Sequence, residues 1–169
     1  MALPDVVIDL GPWLRAASLG LGATLIMDAY AMMIKRLWGT PSLNYSLVGR
    51  WILYGVGLEW RGDPISLKPA RTGETPLGWS AHYAIGASLG IGFITLVGAD
   101  WLERPTPWPA LLMGAASTLA PFLILQPALG AGLAARRTPR PWQARWRSLM
   151  AHLSFGVGLY LCALLLRQA

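Results

Sequence analysis

The chain has 169 residues, of which 54% are hydrophobic and 13% are charged. Soluble domains carry about 25% charged residues, so this composition argues against a soluble protein and predicts one membrane-embedded domain over residues 1–169. The net charge of +6 does not indicate a nucleic-acid partner, because the basic residues lie between apolar runs rather than on one polar face. A single cysteine excludes an intramolecular disulfide.

Four apolar runs are each long enough to cross a bilayer as a helix, which takes about 20 residues. The predicted spans are residues 14–36, 77–99, 108–130 and 147–167. A helix satisfies its backbone hydrogen bonds within one segment, and such continuous apolar runs fit helices better than barrel strands. The predicted fold class is therefore all-α, an integral membrane four-helix bundle.

The connection between the first two spans contains a further helical pattern. Apolar residues recur there at three- and four-residue spacing: Leu43, Leu47, Trp51, Tyr54 and Leu58. This pattern predicts an interfacial helix within residues 41–60. Both an anchor for the loop and a lid over a site are compatible with it.

The basic residues predict the orientation of the bundle. Eleven of the 14 Lys and Arg residues lie in the connections between spans one and two and between spans three and four, or at the span ends that border them. Connections rich in Lys and Arg face the cytoplasm. We therefore expect a multi-pass protein of the bacterial inner membrane with both termini in the periplasm.

Each predicted span contains one polar residue of interest: Asp28, His82, Gln126 and His152. Ionisable residues inside a span are costly and usually functional. All four are expected in the cytoplasmic half, where they form a candidate ligand or cofactor site. The histidines share the phrase A-H-x-x-x-G-x-x-L, in AHYAIGASL at 81–89 and AHLSFGVGL at 151–159. This repeat indicates that the bundle could consist of two tandem two-helix units.

Five stretches carry a family resemblance: PSLNYSLVGRW, LGWSAHYAIG, APFLILQPALGAG, RRTPRP and RSLMAHLSFGVGLYL. Together they resemble a family of small four-helix bacterial inner-membrane proteins classed as a domain of unknown function. The resemblance implies the inner-membrane location and the four-helix architecture. It implies no substrate, cofactor or catalytic residue.

Three functions are compatible with the polar residues. The first is a binding or accessory protein for membrane lipids, other membrane subunits or a second copy, with Arg136, Arg137 and Arg140 as candidates for an anionic headgroup. The second is a b-type haem protein with His82 and His152 as axial ligands. The third is a metal-dependent membrane enzyme using His82, His152 and Asp28 to bind a divalent ion. The sequence leaves open whether the site is catalytic.

Overall fold

The computed structural model describes residues 11–57 and 64–167, and within them it contains five α-helices and no strand. Four of these helices are long and apolar enough to cross a membrane: α1 (Gly11–Trp38), α3 (Glu74–Val97), α4 (Pro107–Ala128) and α5 (Pro141–Leu166). The shorter α2 (Tyr45–Val56) lies between the first two spans. The all-α, four-helix fold predicted from the sequence is confirmed.

The spans run alternately up and down, so one end of the bundle collects the basic connections. This end, here called the basic end, comprises the C-terminal ends of α1 and α4 and the N-terminal ends of α3 and α5. Helix α1 packs extensively against α3 and α5, and α4 packs mainly against α5. The two histidine-bearing helices, α3 and α5, therefore occupy diagonal positions in the bundle.

Small residues allow the helices to approach closely. Gly20 of α1 lies directly against the Gly86 carbonyl of α3. At the α4–α5 crossing, a methyl group on Gly114 would lie 2.6 Å from the His152 carbonyl oxygen. Backbones meet this closely only where a side chain is absent or small, the usual interface of membrane helices. These two crossings fix how each helix presents its polar residue to its neighbour.

Helix α4 is irregular in its second half. A π-helical turn covers Pro121–Leu125, and the chain returns to α-helix at Gln126–Ala128. Pro121 has no N–H to donate, so a regular ladder cannot continue through it, and the Gln126 N–H donates to the Pro121 carbonyl instead. The wider turn rotates the basic end of α4 relative to its first half.

Helix α2 stands against the beginning of α3 and is not separated from the bundle. Tyr45 approaches Gly78, and Gly49 approaches Glu74, so the two helices are antiparallel. The Asn44 side chain caps the N-terminus of α2 by accepting from the Ser46 N–H at 3.0 Å. The interfacial-helix prediction covered residues 41–60, of which 58–60 lie outside the described residues.

Candidate functional site

Asp28 of α1 and His82 of α3 form a direct pair within the membrane spans. Asp28 Oδ1 lies 3.0 Å from His82 Nε2, and their side chains are 20% and 14% exposed. The close contact of Gly20 with Gly86 brings the helices together just beyond this pair. Because a carboxylate accepts hydrogen bonds, His82 Nε2 carries the proton that faces it.

Two tyrosines complete the hydrogen bonding of Asp28. The Tyr83 hydroxyl donates to Asp28 Oδ2 at 2.9 Å. The Tyr45 hydroxyl lies 3.0 Å from His82 Nε2 and 3.4 Å from Asp28 Oδ1. Burial, together with the neighbouring Asp28 charge, raises the pKa of Tyr45 well above its usual range, so this hydroxyl stays protonated and can donate.

Aromatic rings surround the carboxylate–imidazole pair. The Tyr45 ring centroid lies 4.2 Å from that of Trp79 and 4.4 Å from that of His82. Trp79 also stacks against Tyr83 at 6.4 Å and is 41% exposed. We call Asp28, Tyr45, Trp79, His82 and Tyr83 the Asp28 cluster. It is a hydrogen-bonded acid–imidazole pair with an aromatic rim that reaches the surface of the bundle.

An ion pair holds α2, and with it Tyr45, in place. The Arg50 Nε and Nη2 atoms donate to the two Glu74 carboxylate oxygens, each at 2.8 Å. The Arg50 Nη1 atom also donates to the Lys68 carbonyl at 2.8 Å. The hydrogen bonds to Glu74 raise the pKa of Arg50 above its usual value, so the guanidinium group stays positively charged. This bidentate geometry fixes α2 against the first turn of α3.

His152 has a different partner from His82. Its Nδ1 atom lies 2.8 Å from the Ser117 hydroxyl of α4, and that hydroxyl donates to the Gly114 carbonyl at 2.7 Å. A serine hydroxyl has one proton. If Gly114 receives it, His152 Nδ1 must carry a proton and donate to Ser117, which leaves Nε2 as an acceptor.

Gln126 belongs to neither histidine pair. Its Oε1 atom is buried and has no hydrogen-bond partner in the described part of the chain, and the same holds for Thr118 Oγ1. Within the described residues the hydrogen bonds join Asp28 to His82 and His152 to Ser117, and the prediction that all four polar residues form one site stays a prediction. Two buried oxygen atoms in α4 retain unused hydrogen-bonding capacity.

The three candidate headgroup arginines lie in the connection that precedes α5. The side-chain stems of Arg136 and Arg137 flank Gly132 in the connection before α5. Arg140 instead lines a surface cavity together with Arg147. Arg147 is a member of this cavity that the prediction left out, and the headgroup role of the three arginines stays a prediction.

Sequence reasoning missed four residues of these sites: Tyr45, Trp79, Tyr83 and Ser117. Trp79 and Tyr83 lie three residues before His82 and directly after it, so the aromatic surroundings of this histidine were visible in the sequence. No comparable signal connected Tyr45 or Ser117 to a histidine, because each belongs to a different helix.

The described residues contain no group of three or more His, Cys, Asp and Glu side chains that could hold a metal ion. Asp28 and His82 provide two such donors, while His152 is bonded to a serine. A haem ligand role for His82 Nε2 would require breaking its bond to Asp28. The haem and metal hypotheses stay predictions, and neither corresponds to a preassembled ligand set in this arrangement.

Comparison with known proteins places the chain in a family. No curated protein and no solved structure matches it. A family model described as "Protein of unknown function (DUF2938)" matches residues 17–166, a region that includes both histidine pairs, α2 and the basic connections. The resemblance to a family of unknown function is thus confirmed, and the chain belongs to the DUF2938 family.

Proposed function

We propose that this membrane protein binds the positively charged head of an amphiphile at the Asp28 cluster. The observation that supports this proposal is a carboxylate within a membrane span that reaches the bundle surface among three aromatic rings. An acidic side chain in a span costs several kcal/mol unless it is paired or hydrated, and such residues usually mark a ligand or ion pathway.

The charge of the cluster favours a cationic ligand. Asp28 is the one acidic side chain of the cluster, and two uncharged tyrosine hydroxyls donate hydrogen bonds to it. An ammonium group near Asp28 would neutralise the charge. Aromatic faces attract cations within about 6 Å of the ring centroid, and Trp79 offers such a face because it is 41% exposed.

The same surroundings suit an amphiphile better than a small soluble cation. Trp79 and Tyr83 lie on a helix that spans the membrane, so a ligand can approach the cluster sideways from the lipid. Its acyl chain would stay in the bilayer while its head meets Asp28. Such recognition at the surface needs no enclosed cavity.

We also infer that the protein resides in a bacterial inner membrane with the basic end in the cytoplasm and both termini in the periplasm. The positive-inside distribution of eleven of its 14 basic residues supports this orientation. The Asp28 cluster would then face the cytoplasmic leaflet, and its ligand would be an amphiphile of that leaflet.

Haem binding and metal binding are the competing proposals. An optical absorption spectrum distinguishes haem binding from amphiphile binding. Protein purified from haem-replete cells would show a Soret band, lost in both His82→Ala and His152→Ala, if the histidines ligate haem. Retention of a divalent ion after dialysis, lost in Asp28→Asn, would support a metal site. We expect neither signal from the amphiphile-binding protein.

Titration calorimetry with dodecylamine in a neutral maltoside detergent tests the proposal directly. The uncharged dodecanol is the ligand control. We expect dodecylamine to bind, dodecanol to bind at least about tenfold more weakly, and Asp28→Asn to remove the difference. Asp100→Asn is the matched protein control, because Asp100 is an exposed acid at the opposite end of the bundle.

A second variant covers the possibility that Asp28→Asn misfolds. Trp79→Leu keeps the charge and removes the exposed ring, and it should weaken dodecylamine binding by about three- to tenfold. Equal binding of the amine and the alcohol to the wild-type protein contradicts the proposal. Equal losses in Asp28→Asn and Asp100→Asn contradict it as well.

A further inference from the structure

A second feature of the basic end lies where the last connection enters α5. A surface cavity of about 260 Å³ is lined by Thr138, Pro139, Arg140, Gln143, Ala144 and Arg147. Arg140 is the residue directly before α5, Arg147 lies within the helix, and both line this one cavity. Gln143, also in its lining, adds an amide.

We infer that this cavity binds a phosphate group, with Arg140 and Arg147 as the charged ligands and Gln143 as a neutral one. This site is separate from the Asp28 cluster and independent of the function proposed for it. The cavity is smaller than the roughly 300–1,000 Å³ typical of drug-sized ligands. It therefore suits a small anionic group, and guanidinium groups bind phosphate oxygens through paired hydrogen bonds.

Neither arginine has an acidic partner among the residues that the structure describes. No Asp or Glu occurs in the sequence after Glu103. Within the described ranges, the ion pairs join Arg15 to Glu103, Arg50 to Glu74, and His82 to Asp28, and none involves Arg140 or Arg147. Two like charges that line one cavity repel each other, and a bound anion would reduce this repulsion.

Neighbouring tryptophans place the cavity at the level of lipid headgroups. Trp142 is 75% exposed and Trp146 is 52% exposed, and both lie between the two arginines in the chain. Trp side chains concentrate at the membrane–water interface. A phosphate can reach the cavity either as the headgroup of an anionic lipid or as a free ion, and both sources offer the same chemistry to the arginines.

Binding of two probes to the purified protein distinguishes these sources. The probes are dihexanoyl phosphatidylglycerol and inorganic phosphate, measured by calorimetry in neutral detergent. We expect the double variant Arg140→Gln/Arg147→Gln to weaken binding of the active probe by about tenfold or more. Binding of the lipid alone identifies a headgroup site, and binding of phosphate that competes with the lipid identifies a site open to the free ion.

The matched control is Lys35→Gln/Arg36→Gln. It removes the same two charges from the same end of the bundle, at exposed positions on α1. If both double variants weaken binding equally, the basic end acts only through its overall charge and the inference is wrong. It is also wrong if neither probe binds the wild-type protein.

A conservative variant guards against loss of folding. Arg140→Lys/Arg147→Lys keeps both charges but loses the planar fork of the guanidinium group. We expect it to bind more weakly than wild type and more tightly than the glutamine variant. Wild-type affinity in the lysine variant would show that charge alone is recognised and would overturn the roles assigned to the two guanidinium groups.

Discussion

Replacing Gly114 by alanine would insert a methyl group into the crossing of α4 and α5. The new Cβ atom would lie 2.6 Å from the His152 carbonyl oxygen and 2.9 Å from the Gly156 Cα and N atoms. All three are backbone atoms, so no side chain can rotate to make room. The helices would have to move apart, and the hydrogen bond between Ser117 and His152 would lengthen with them.

Two opposing effects set the size of the change. Overpacking a tight interface costs about 1–3 kcal/mol. Alanine is a better helix former than glycine by about 0.5–1 kcal/mol, which offsets part of that cost. We therefore expect Gly114→Ala to lower the free energy of unfolding by about 0.5–2 kcal/mol.

The assay is reversible unfolding in mixed micelles with increasing sodium dodecyl sulfate, followed by helical circular dichroism. Gly92→Ala is the control, because a Cβ atom there would meet nothing within 4 Å while the residue still lies inside α3. It should be neutral or stabilise the protein by about 0.5–1 kcal/mol. If Gly114→Ala is as stable as Gly92→Ala, the close crossing described here is wrong.

Three further predictions concern the Asp28 cluster and the orientation. Tyr83→Phe removes a donor to Asp28 and should lower the unfolding free energy by about 1.5 kcal/mol in the same assay, whereas Tyr160→Phe should change it little because no hydrogen bond of that hydroxyl occurs within the described residues. Because the pKa of Tyr45 is raised in the folded protein, its protonated form stabilises the fold, and the free energy of unfolding should fall as the pH rises above about 10. The free energy of unfolding of Tyr45→Phe should fall less steeply between pH values of about 9 and 11. In a Cys162→Ser background, an impermeant maleimide should label Asp100→Cys in intact cells and Ala70→Cys only after lysis; the reverse pattern would invert the orientation.

The four apolar helices could be predicted from the sequence because each apolar run is long enough to cross a bilayer. Their ends were harder to predict, since backbone geometry and tertiary contacts decide them. Helix α3 begins at Glu74, three residues before the predicted start, where Gly73 adopts a φ of 84° and Arg50 pairs with Glu74. Neither interaction is visible in a hydropathy pattern.

The observed helix ends bring Asp28 and His82 closer in depth. Counted from the predicted span ends at residues 36 and 77, Asp28 lies three residues deeper than His82, or roughly 4.5 Å. Counted from the observed ends, Asp28 lies ten residues before Trp38 and His82 eight residues after Glu74. The remaining difference is two residues, or about 3 Å along the helix axis. The two side chains can span this distance.

Tyr45 illustrates a contact that a one-dimensional pattern does not contain. The apolar spacing of residues 43–58 predicts a helix with one apolar face, whether that helix lies in the membrane plane or stands against a neighbour. The choice depends on the contacts of Gly49 and Gly78, which let α2 and α3 touch at the backbone. Glycine spacing within two separate helices does not reveal that they face each other.

The repeated phrase acquires a physical meaning from the two crossings. Its glycine faces the preceding span in both copies: Gly86 lies against Thr24 and Gly20, and Gly156 against the Ala110 carbonyl. One turn before that glycine, each histidine bonds to a polar side chain of the same neighbouring span, Asp28 or Ser117. This correspondence supports two related helix pairs that differ in the charge of the histidine's partner.

The connections explain why the two pairs can differ. The first pair has a long connection containing α2, which supplies Tyr45 to the carboxylate and closes the basic end with the Arg50–Glu74 ion pair. The second pair has a shorter connection with only a 3₁₀ turn at Leu133–Ala135, and among the described residues the hydrogen-bond partner of His152 is Ser117. Arg140 and Arg147 line the cavity on this side. A carboxylate in a span needs several donors to persist, and only the pair with α2 provides them. The acidic site therefore belongs to the first pair and the basic cavity to the second.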